Sequence, residues 1–198
     1  MLNRVSCIIS SFFLRQSIIS ENEFAAYVYS VEILLSTAIN SALFLIISLR
    51  SNKPVESICF LIAFAVLRKN CGGVHAANHV LCGFFMAMLL GLFLFCIEII
   101  PQNIQQNLSK DLVLVSLLGV WLGAPAQTPN KPLNNKEQAV FKKRSRLVII
   151  CFCIVVLIGN SINELQSFLC SCAMGCFAAM CFMWLAKLKN RTVMKEEQ

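Results

Sequence analysis

Long apolar stretches recur along the whole chain, and they constrain the fold more than any other feature of the sequence. Hydrophobic residues occupy 58% of the 198 positions, a larger share than one water-soluble domain of this size can hide in its core. Inside a lipid bilayer the backbone must satisfy its own hydrogen bonds, which only helices and closed barrels achieve. The stretches lack the alternation of barrel strands. The sequence therefore predicts an all-α, polytopic membrane protein.

About six apolar segments are candidates for membrane spans, each of which takes roughly 20 apolar residues. They cover residues 28–49, 55–67, 80–100, 108–124, 147–160 and 167–186. The second and fifth are short, so they must recruit flanking residues or lie sheltered among other helices. Residues 1–26 favour an amphipathic helix in the membrane surface over a signal peptide. Because no repeat or linker interrupts the chain, residues 1–198 are interpreted as one domain.

The basic residues predict the orientation in the membrane, because cytoplasmic loops retain Lys and Arg. If the N-terminus is inside, all but three of the 17 Lys and Arg residues lie on the cytoplasmic side, the exceptions being Arg50, Lys53 and Lys110. This bias accounts for the net charge of +7 without a nucleic-acid partner. We expect a cell-membrane protein with both termini in the cytoplasm.

Most of the 11 cysteines lie inside apolar segments, where a free thiol behaves as a small hydrophobic side chain. We interpret these cysteines as packing residues and not as a disulfide framework. They are Cys59, Cys96, Cys151, Cys153, Cys170, Cys172, Cys176 and Cys181.

Chemically reactive side chains are concentrated in residues 68–82, RKNCGGVHAANHVLC, the predicted cytoplasmic connection between the second and third spans. This stretch contains both histidines of the chain, His75 and His79, together with Cys71 and Cys82. Such a concentration in one polar stretch is hard to explain by packing alone, and it marks the candidate catalytic region.

The double glycine in this stretch predicts a break in the helix. Gly72 and Gly73 permit backbone conformations with positive φ, so a turn or re-entrant loop is expected. The next helix then places Cys82 in its first turns, where the helix dipole and a nearby imidazole lower a thiol pKa. On one straight helix His75 would be about 10 Å away, so it must fold back to act as a base. His79 could reach Cys82 along the helix, and spacing alone does not choose between them.

Two other interpretations of this stretch stay open on spacing alone. Cys71, His75, His79 and Cys82 are plausible zinc ligands, but the double glycine interrupts the helix and the spacing fits no common zinc pattern. Alternatively, the histidines are interfacial polar residues and Cys82 is a core thiol. Neither a metal nor another cofactor is predicted.

The same stretch resembles the signature of the accessory gene regulator B family, the membrane cysteine endopeptidases that process quorum-sensing propeptides in Gram-positive bacteria. The resemblance rests on the order and spacing of Arg68, Gly72, Gly73, His75 and Cys82. A second similarity covers residues 124–146, APAQTPNKPLNNKEQAVFKKRSR, which is like the cytoplasmic loop of the family, with prolines and a Lys-rich end. Length, number of spans and basic profile agree along nearly the whole chain.

This resemblance implies a role for each residue of the motif. Cys82 matches the nucleophile and His75 the catalytic histidine, whereas His79 and Cys71 are not required. The supporting loop consists of Arg68, Gly72 and Gly73. The implied substrate is a small amphipathic, AgrD-like propeptide, whose charged C-terminal tail is released while the remainder closes into a thiolactone or lactone ring. An acyl-enzyme on a cysteine can be intercepted in this way by a Cys or Ser of the substrate.

The second region ends in a basic run that is expected to attract an acidic peptide tail, besides holding the region in the cytoplasm. The run consists of Lys142, Lys143, Arg144 and Arg146. The competing functions are a non-enzymatic membrane scaffold and a small transporter, although no inverted repeat supports a transporter.

The last span contains small residues of the kind that allow helices to approach closely in lipid. They are Ser171, Ala173, Gly175, Ala178 and Ala179. They predict a possible homodimer through this span, with packing inside one subunit as the alternative.

Overall fold

The computed structural model describes residues 2–73, 79–126 and 134–196. Within these ranges the only regular secondary structure is helical, and there is no β-strand. The prediction of an all-α protein is therefore confirmed. The α-helices are α1 Leu2–Arg15, α2 Phe24–Arg50, α3 Pro54–Cys71, α4 His79–Ile99, α5 Gln102–Gly123, α6 Asn135–Gly159 and α7 Gln166–Glu196. Short 3-10 helices, Glu21–Glu23 and Asn163–Leu165, precede α2 and α7.

Each of the six apolar segments coincides with one of the helices α2 to α7. Only two stretches of the described chain, Glu21–Arg50 and Asn163–Leu188, are long and apolar enough to cross a membrane. The apolar part of α4, Gly83–Ile99, is shorter. Helix positions were therefore predicted correctly, whereas the number of spans stays a prediction.

The region predicted as a loop, residues 124–146, is partly helical, because α6 already begins at Asn135. The side chain of Glu137 accepts a hydrogen bond from the backbone N–H of Asn134 at 3.1 Å. This is one half of a capping box, in which the third helical residue satisfies a free donor at the helix start. The basic run consequently lies on a helix that continues without interruption into the apolar segment.

Helix packing divides the chain into two units, and the first comprises Met1–Arg50 and Ala76–Gly91. In this unit α1 packs along α2, and its polar Ser6 and Ser10 are buried. Apolar side chains of α1 point away from the unit instead, with Ile8 69% exposed. An outward apolar face of this kind suits a helix that contacts lipid.

The second unit comprises Ser51–His75 and Leu92–Gln198, with α3 packed mainly along α7. Gly175 of α7 allows this close approach, because a Cβ atom at this position would collide with the carbonyl oxygen of Phe60 in α3. Ser171, Ala173 and Ala179 are also fully buried. Packing within the chain thus accounts for these small residues, and they offer no free surface for a second subunit.

A buried polar contact joins the start of α5 to the end of α6 in this unit. The side-chain amide of Asn160 donates to the carbonyl oxygen of Gln106 at 2.7 Å and to Ser109 Oγ at 3.1 Å. In return, the side-chain amide of Gln106 donates to the carbonyl oxygen of Asn160 at 3.1 Å. Paired hydrogen bonds of this kind hold helices together where water does not compete.

The cysteines of the apolar segments are free thiols, as predicted from their positions. Cys153, Cys170 and Cys176 are buried in the second unit, whereas Cys151 is exposed. The buried thiols act as small apolar side chains in the helix contacts.

Candidate functional site

Of the two residues matched to the catalytic pair, the structure describes the backbone of Cys82 but not His75. Cys82 belongs to the first turns of α4, which begins at His79, as the sequence predicts. His75 lies outside the described residues. The pairing of His75 with Cys82 therefore remains a prediction, and the described part of the site is the segment that leads into it.

The end of α3 is fixed by the double glycine. The helix ends at Cys71, and Gly72 adopts a φ of 76° while its N–H donates to the carbonyl oxygen of Arg68 at 3.0 Å. Residues that carry a Cβ atom are strained at a positive φ of this kind, whereas glycine is not. Gly73 has no positive φ. The predicted break is confirmed, and only the first glycine requires the special conformation.

The two regions selected from the sequence, 68–82 and 124–146, contact each other through their backbones. The N–H of Ala126 donates to the carbonyl oxygen of Cys71 at 2.8 Å. A Cβ atom placed on Gly72 would lie only 2.5 Å from the carbonyl oxygen of Ala126. The segment after α5, which includes a cis peptide bond between Ala124 and Pro125, thus lies directly against Cys71 and Gly72 at the end of α3.

Arg68 lies over two neighbouring aromatic rings. Its guanidinium carbon lies 5.3 Å from the ring centroid of Phe64 and 5.0 Å from that of Phe182. The two rings contact each other edge to face at 5.8 Å. Cation–π contacts with the two rings help to orient the guanidinium. The last turn of α3 is thereby connected to α7.

The second cysteine of the stretch, Cys71, is fully buried. Burial raises the pKa of its thiol to about 11, although a hydrogen bond with Ser145 acts in the opposite direction. A thiol with this pKa stays protonated at neutral pH, and a protonated thiol is a poor nucleophile. Cys71 is therefore a packing residue and not a competitor for the role matched to Cys82.

Three of the four residues of the basic run line an open cleft of about 550 Å³ on α5 and α6. The side chain of Arg146 stacks on Trp121, with 4.2 Å between the guanidinium carbon and the ring centroid, and donates to the Trp121 carbonyl oxygen at 3.2 Å. Arg144 is exposed but is not part of the lining. The cleft is lined by Trp121, Ala139, Lys142, Lys143, Arg146, Leu147, Ile150 and Cys151.

Both tryptophans of the chain lie beneath basic side chains in this unit. The indole N–H of Trp184 donates to the carbonyl oxygen of Gly119 at 3.2 Å, and Lys187 Nζ lies 5.6 Å from the Trp184 ring centroid. Trp121 makes the corresponding contact with Arg146. Tryptophan and basic residues together are typical of helix ends at a membrane surface.

Among the residues that the structure describes, no group of three or more His, Cys, Asp and Glu side chains is arranged to hold a metal ion. The zinc interpretation required His75, which lies outside this part of the chain. It therefore stays untested.

Phe64, Phe182 and Trp121 were not identified from the sequence as parts of this region, whereas Ala126 lies inside the selected region 124–146. Phe64 could have been found, because it precedes Arg68 by one helical turn and faces the same side. The contacts of Phe182 and Trp121, and the pairing of Ala126 with Cys71, join distant segments. No local signal in the sequence indicates such contacts.

A chain whose described residues fold into helices, with this content of apolar residues, is typical of helical membrane proteins. Residues 5–184 match the family model described as AgrB: Accessory gene regulator B. The chain therefore belongs to the accessory gene regulator B family. The matched range includes the supporting loop, both residues matched to the catalytic pair and the basic run.

One similar protein is AgrB-like protein 2 of Clostridium perfringens (strain 13 / Type A), which is 28% identical over 132 residues. This match covers 62% of the present chain and 59% of that relative. No solved structure matches the chain.

Proposed function

We propose that the chain is an integral membrane cysteine endopeptidase that cleaves the C-terminal tail from a small AgrD-like propeptide and promotes its cyclisation for quorum sensing. The observation that carries this proposal is membership of the family, together with a helix break at Gly72 directly before the matched pair. Family membership alone implies a part in peptide processing. The protease chemistry is the further step that the residues support.

In this mechanism the Cys82 thiolate attacks the scissile carbonyl carbon, after His75 has accepted the thiol proton. The peptide C–N bond then breaks, and His75 returns the proton to the leaving amine of the tail. The product is a thioester between Cys82 and the new C-terminus. A Cys or Ser of the same substrate attacks this thioester, forms a thiolactone or lactone ring, and regenerates the Cys82 thiol.

Ring closure competes with hydrolysis of the thioester. An internal nucleophile that is held close has a large advantage over water in solution, because its attack is intramolecular. A site at the membrane surface further limits the entry of water. Both effects favour the cyclic product over the linear acid.

Arg68, Gly72 and Gly73 are proposed to support the catalytic loop and not to take part in the reaction. Arg68 is fixed by its two aromatic neighbours, and Gly72 contacts the segment after α5. This arrangement holds the chain directly before His75. Fixing the residues that precede the loop reduces the entropy lost when the base and the nucleophile come together.

We further propose six membrane spans, with both termini and the reactive stretch on the cytoplasmic side. The basic run would then lie on the same side as Cys82 and attract the acidic tail of the propeptide. Attraction between exposed charges is screened over about 8 Å at physiological salt, so the run concentrates the substrate without positioning the scissile bond. A homodimer remains part of this proposal, through a surface other than the packed residues of α7.

The test of this function is mass spectrometry of the peptides released from a propeptide by the protein in lipid vesicles. Cys82→Ala should abolish cleavage, because it removes the nucleophile and little volume. His75→Ala should reduce cleavage by about 10²-fold or more, the usual contribution of a general base, whereas His79→Ala should retain most activity. Normal cleavage by Cys82→Ala would refute the mechanism, and the reverse order of the histidines would refute the choice of base.

The competing function is a membrane scaffold that binds the propeptide without cutting it. A scaffold would keep its cellular effect in the double variant His75→Ala/Cys82→Ala. The protease loses this effect together with the cleaved product.

A further inference from the structure

The cleft between Trp121 and the basic run has a composition that changes along α6. Three cations, Lys142, Lys143 and Arg146, line it toward the N-terminal end of α6, and no carboxylate is among its lining residues. Toward the C-terminal end of α6 the lining is apolar, with Leu147 58% exposed and Ile150 38% exposed. A ligand that fits must therefore be anionic at one end and apolar at the other.

The spacing of these residues follows one face of the helix. Lys143, Leu147 and Cys151 are separated by four residues each, and Ile150 lies beside them. Residues 143 to 151 rise about 12 Å along the helix axis. The cationic and apolar parts are therefore close enough for the headgroup and the upper acyl chain of a single lipid.

Arg146 is one of the residues that line this cleft. One terminal nitrogen donates to the Trp121 carbonyl oxygen, and the guanidinium stacks on the indole ring. Its Nε atom is buried and has no hydrogen-bond partner. A buried donor without a partner is costly, and a phosphate oxygen is a suitable acceptor for a guanidinium group.

We propose that this cleft binds an anionic phospholipid, with the phosphate at Lys142, Lys143 and Arg146 and an acyl chain along Leu147, Ile150 and Cys151. Trp121 forms the wall at the level of the headgroup, where tryptophan is favoured. The exposed apolar side chains favour a lipid over an acidic peptide, because a peptide carboxylate would leave them uncovered. The inference concerns lipid binding and does not depend on the proposed protease activity.

The experiment uses Trp121 as the reporter, in the full-length protein with Trp184→Phe to remove the second indole. The protein is reconstituted in phosphatidylcholine vesicles that contain a small fraction of brominated lipid, which quenches nearby tryptophan fluorescence. Brominated phosphatidylglycerol should quench Trp121 several-fold more strongly than brominated phosphatidylcholine at the same fraction. Each cation contributes up to about five-fold to this preference, from its attraction to an anionic lipid surface.

The matched variants are Arg146→Gln and Arg144→Gln, which remove the same charge from neighbouring positions of α6. Arg146→Gln should lose most of the preference for phosphatidylglycerol, and Arg144→Gln should keep it. Lys143→Gln, which changes an exposed lining residue, gives the same comparison if Arg146→Gln is not recovered in vesicles.

Three results would overturn the proposal. Equal quenching by the two lipids means that no headgroup is selected. An equal loss in Arg144→Gln means that net charge alone attracts the lipid. Relief of quenching by an added oligo-glutamate peptide means that an acidic peptide occupies the cleft itself in place of a lipid, which goes beyond the screened attraction proposed for the propeptide tail. Because no propeptide is present, none of these results bears on the proposed cleavage reaction.

Discussion

The backbone N–H of Ala126 donates a hydrogen bond to the carbonyl oxygen of Cys71 at 2.8 Å. This bond joins the segment after α5 to the last residue of α3. The carbonyl oxygens at a helix end have no partner within the helix, and here a distant segment satisfies one of them. The first residues of the region 68–82 are therefore joined directly to the beginning of the region 124–146.

The first prediction compares the two glycines. Gly72→Ala forces a side chain into a positive φ, at a cost of about 1–2 kcal/mol, and drives it against the carbonyl oxygen of Ala126. Gly73→Ala meets only ordinary contacts of 3.7 Å with Phe182. Propeptide cleavage at matched protein levels in vesicles should be strongly reduced in Gly72→Ala and nearly normal in Gly73→Ala. A larger loss in Gly73→Ala would contradict this structural explanation.

The second prediction concerns the reactivity of Cys71. Its thiol has a pKa raised to about 11, so the thiolate is scarce at neutral pH and forms only as the pH approaches that value. Iodoacetamide should modify Cys71 slowly at neutral pH, and the rate should still be rising above pH 9. Mass spectrometry of the labelled peptides measures this rate separately for each cysteine.

Cys71→Ser should accordingly retain cleavage, because it changes a buried packing residue and no reacting group. Faster labelling of Cys71 than of Cys82 at neutral pH would contradict the assignment. Loss of cleavage in a well-inserted Cys71→Ser protein would do the same.

The third prediction concerns the aromatic pair around Arg68. Phe182→Leu removes one ring from the guanidinium, and a cation–π contact is worth about 0.5–2 kcal/mol. The turnover number should therefore fall about two- to thirty-fold, while Phe182→Tyr, which keeps the ring, should restore most of it. Phe168→Leu, at the other end of α7, is the matched control. Equal losses in both Leu variants would indicate general destabilisation of α7.

The fourth prediction concerns the basic run. The triple variant with Gln at Lys142, Lys143 and Arg144 should raise the apparent KM far more than it lowers kcat, because it weakens substrate attraction and not the chemical step. Added salt should raise the KM of the unmodified protein in the same way. Lys136→Gln, another exposed position of α6, should have little effect. Unchanged kinetics in a variant with correct cysteine accessibility would leave the run as a membrane anchor.

Helix positions could be predicted because they depend on local composition. The apolar segments bounded by polar residues predicted the positions of α2 to α7, and the double glycine predicted that α3 ends near Cys71. The start of α6 was placed too late, since the Lys-rich segment lacks apolar periodicity. Asn134 followed three positions later by Glu137 is a sequence pattern of a helix start, and it could have corrected this boundary. In the structure the two residues form the expected hydrogen bond.

Contacts between distant residues could not be predicted in this way. Arg146 meets Trp121 across 25 positions of sequence, and hydrophobic periodicity does not identify such a partner. The small residues of α7 were consistent with either an intersubunit or an intrachain contact, because both require close backbone approach. The position of Gly175 against Phe60, together with the burial of Ser171, Ala173 and Ala179, indicates the intrachain contact.

The continuity of α6 from Asn135 to Gly159 has a mechanical consequence. Its basic residues and its apolar residues belong to one rod, in which each residue advances by about 1.5 Å. In the proposed six-span topology, a thicker or thinner bilayer shifts or tilts the apolar part of α6, and the basic residues must then move with it. The height of Lys142, Lys143 and Arg146 over the membrane would thus be set by the thickness of the bilayer and not by the flexibility of a loop.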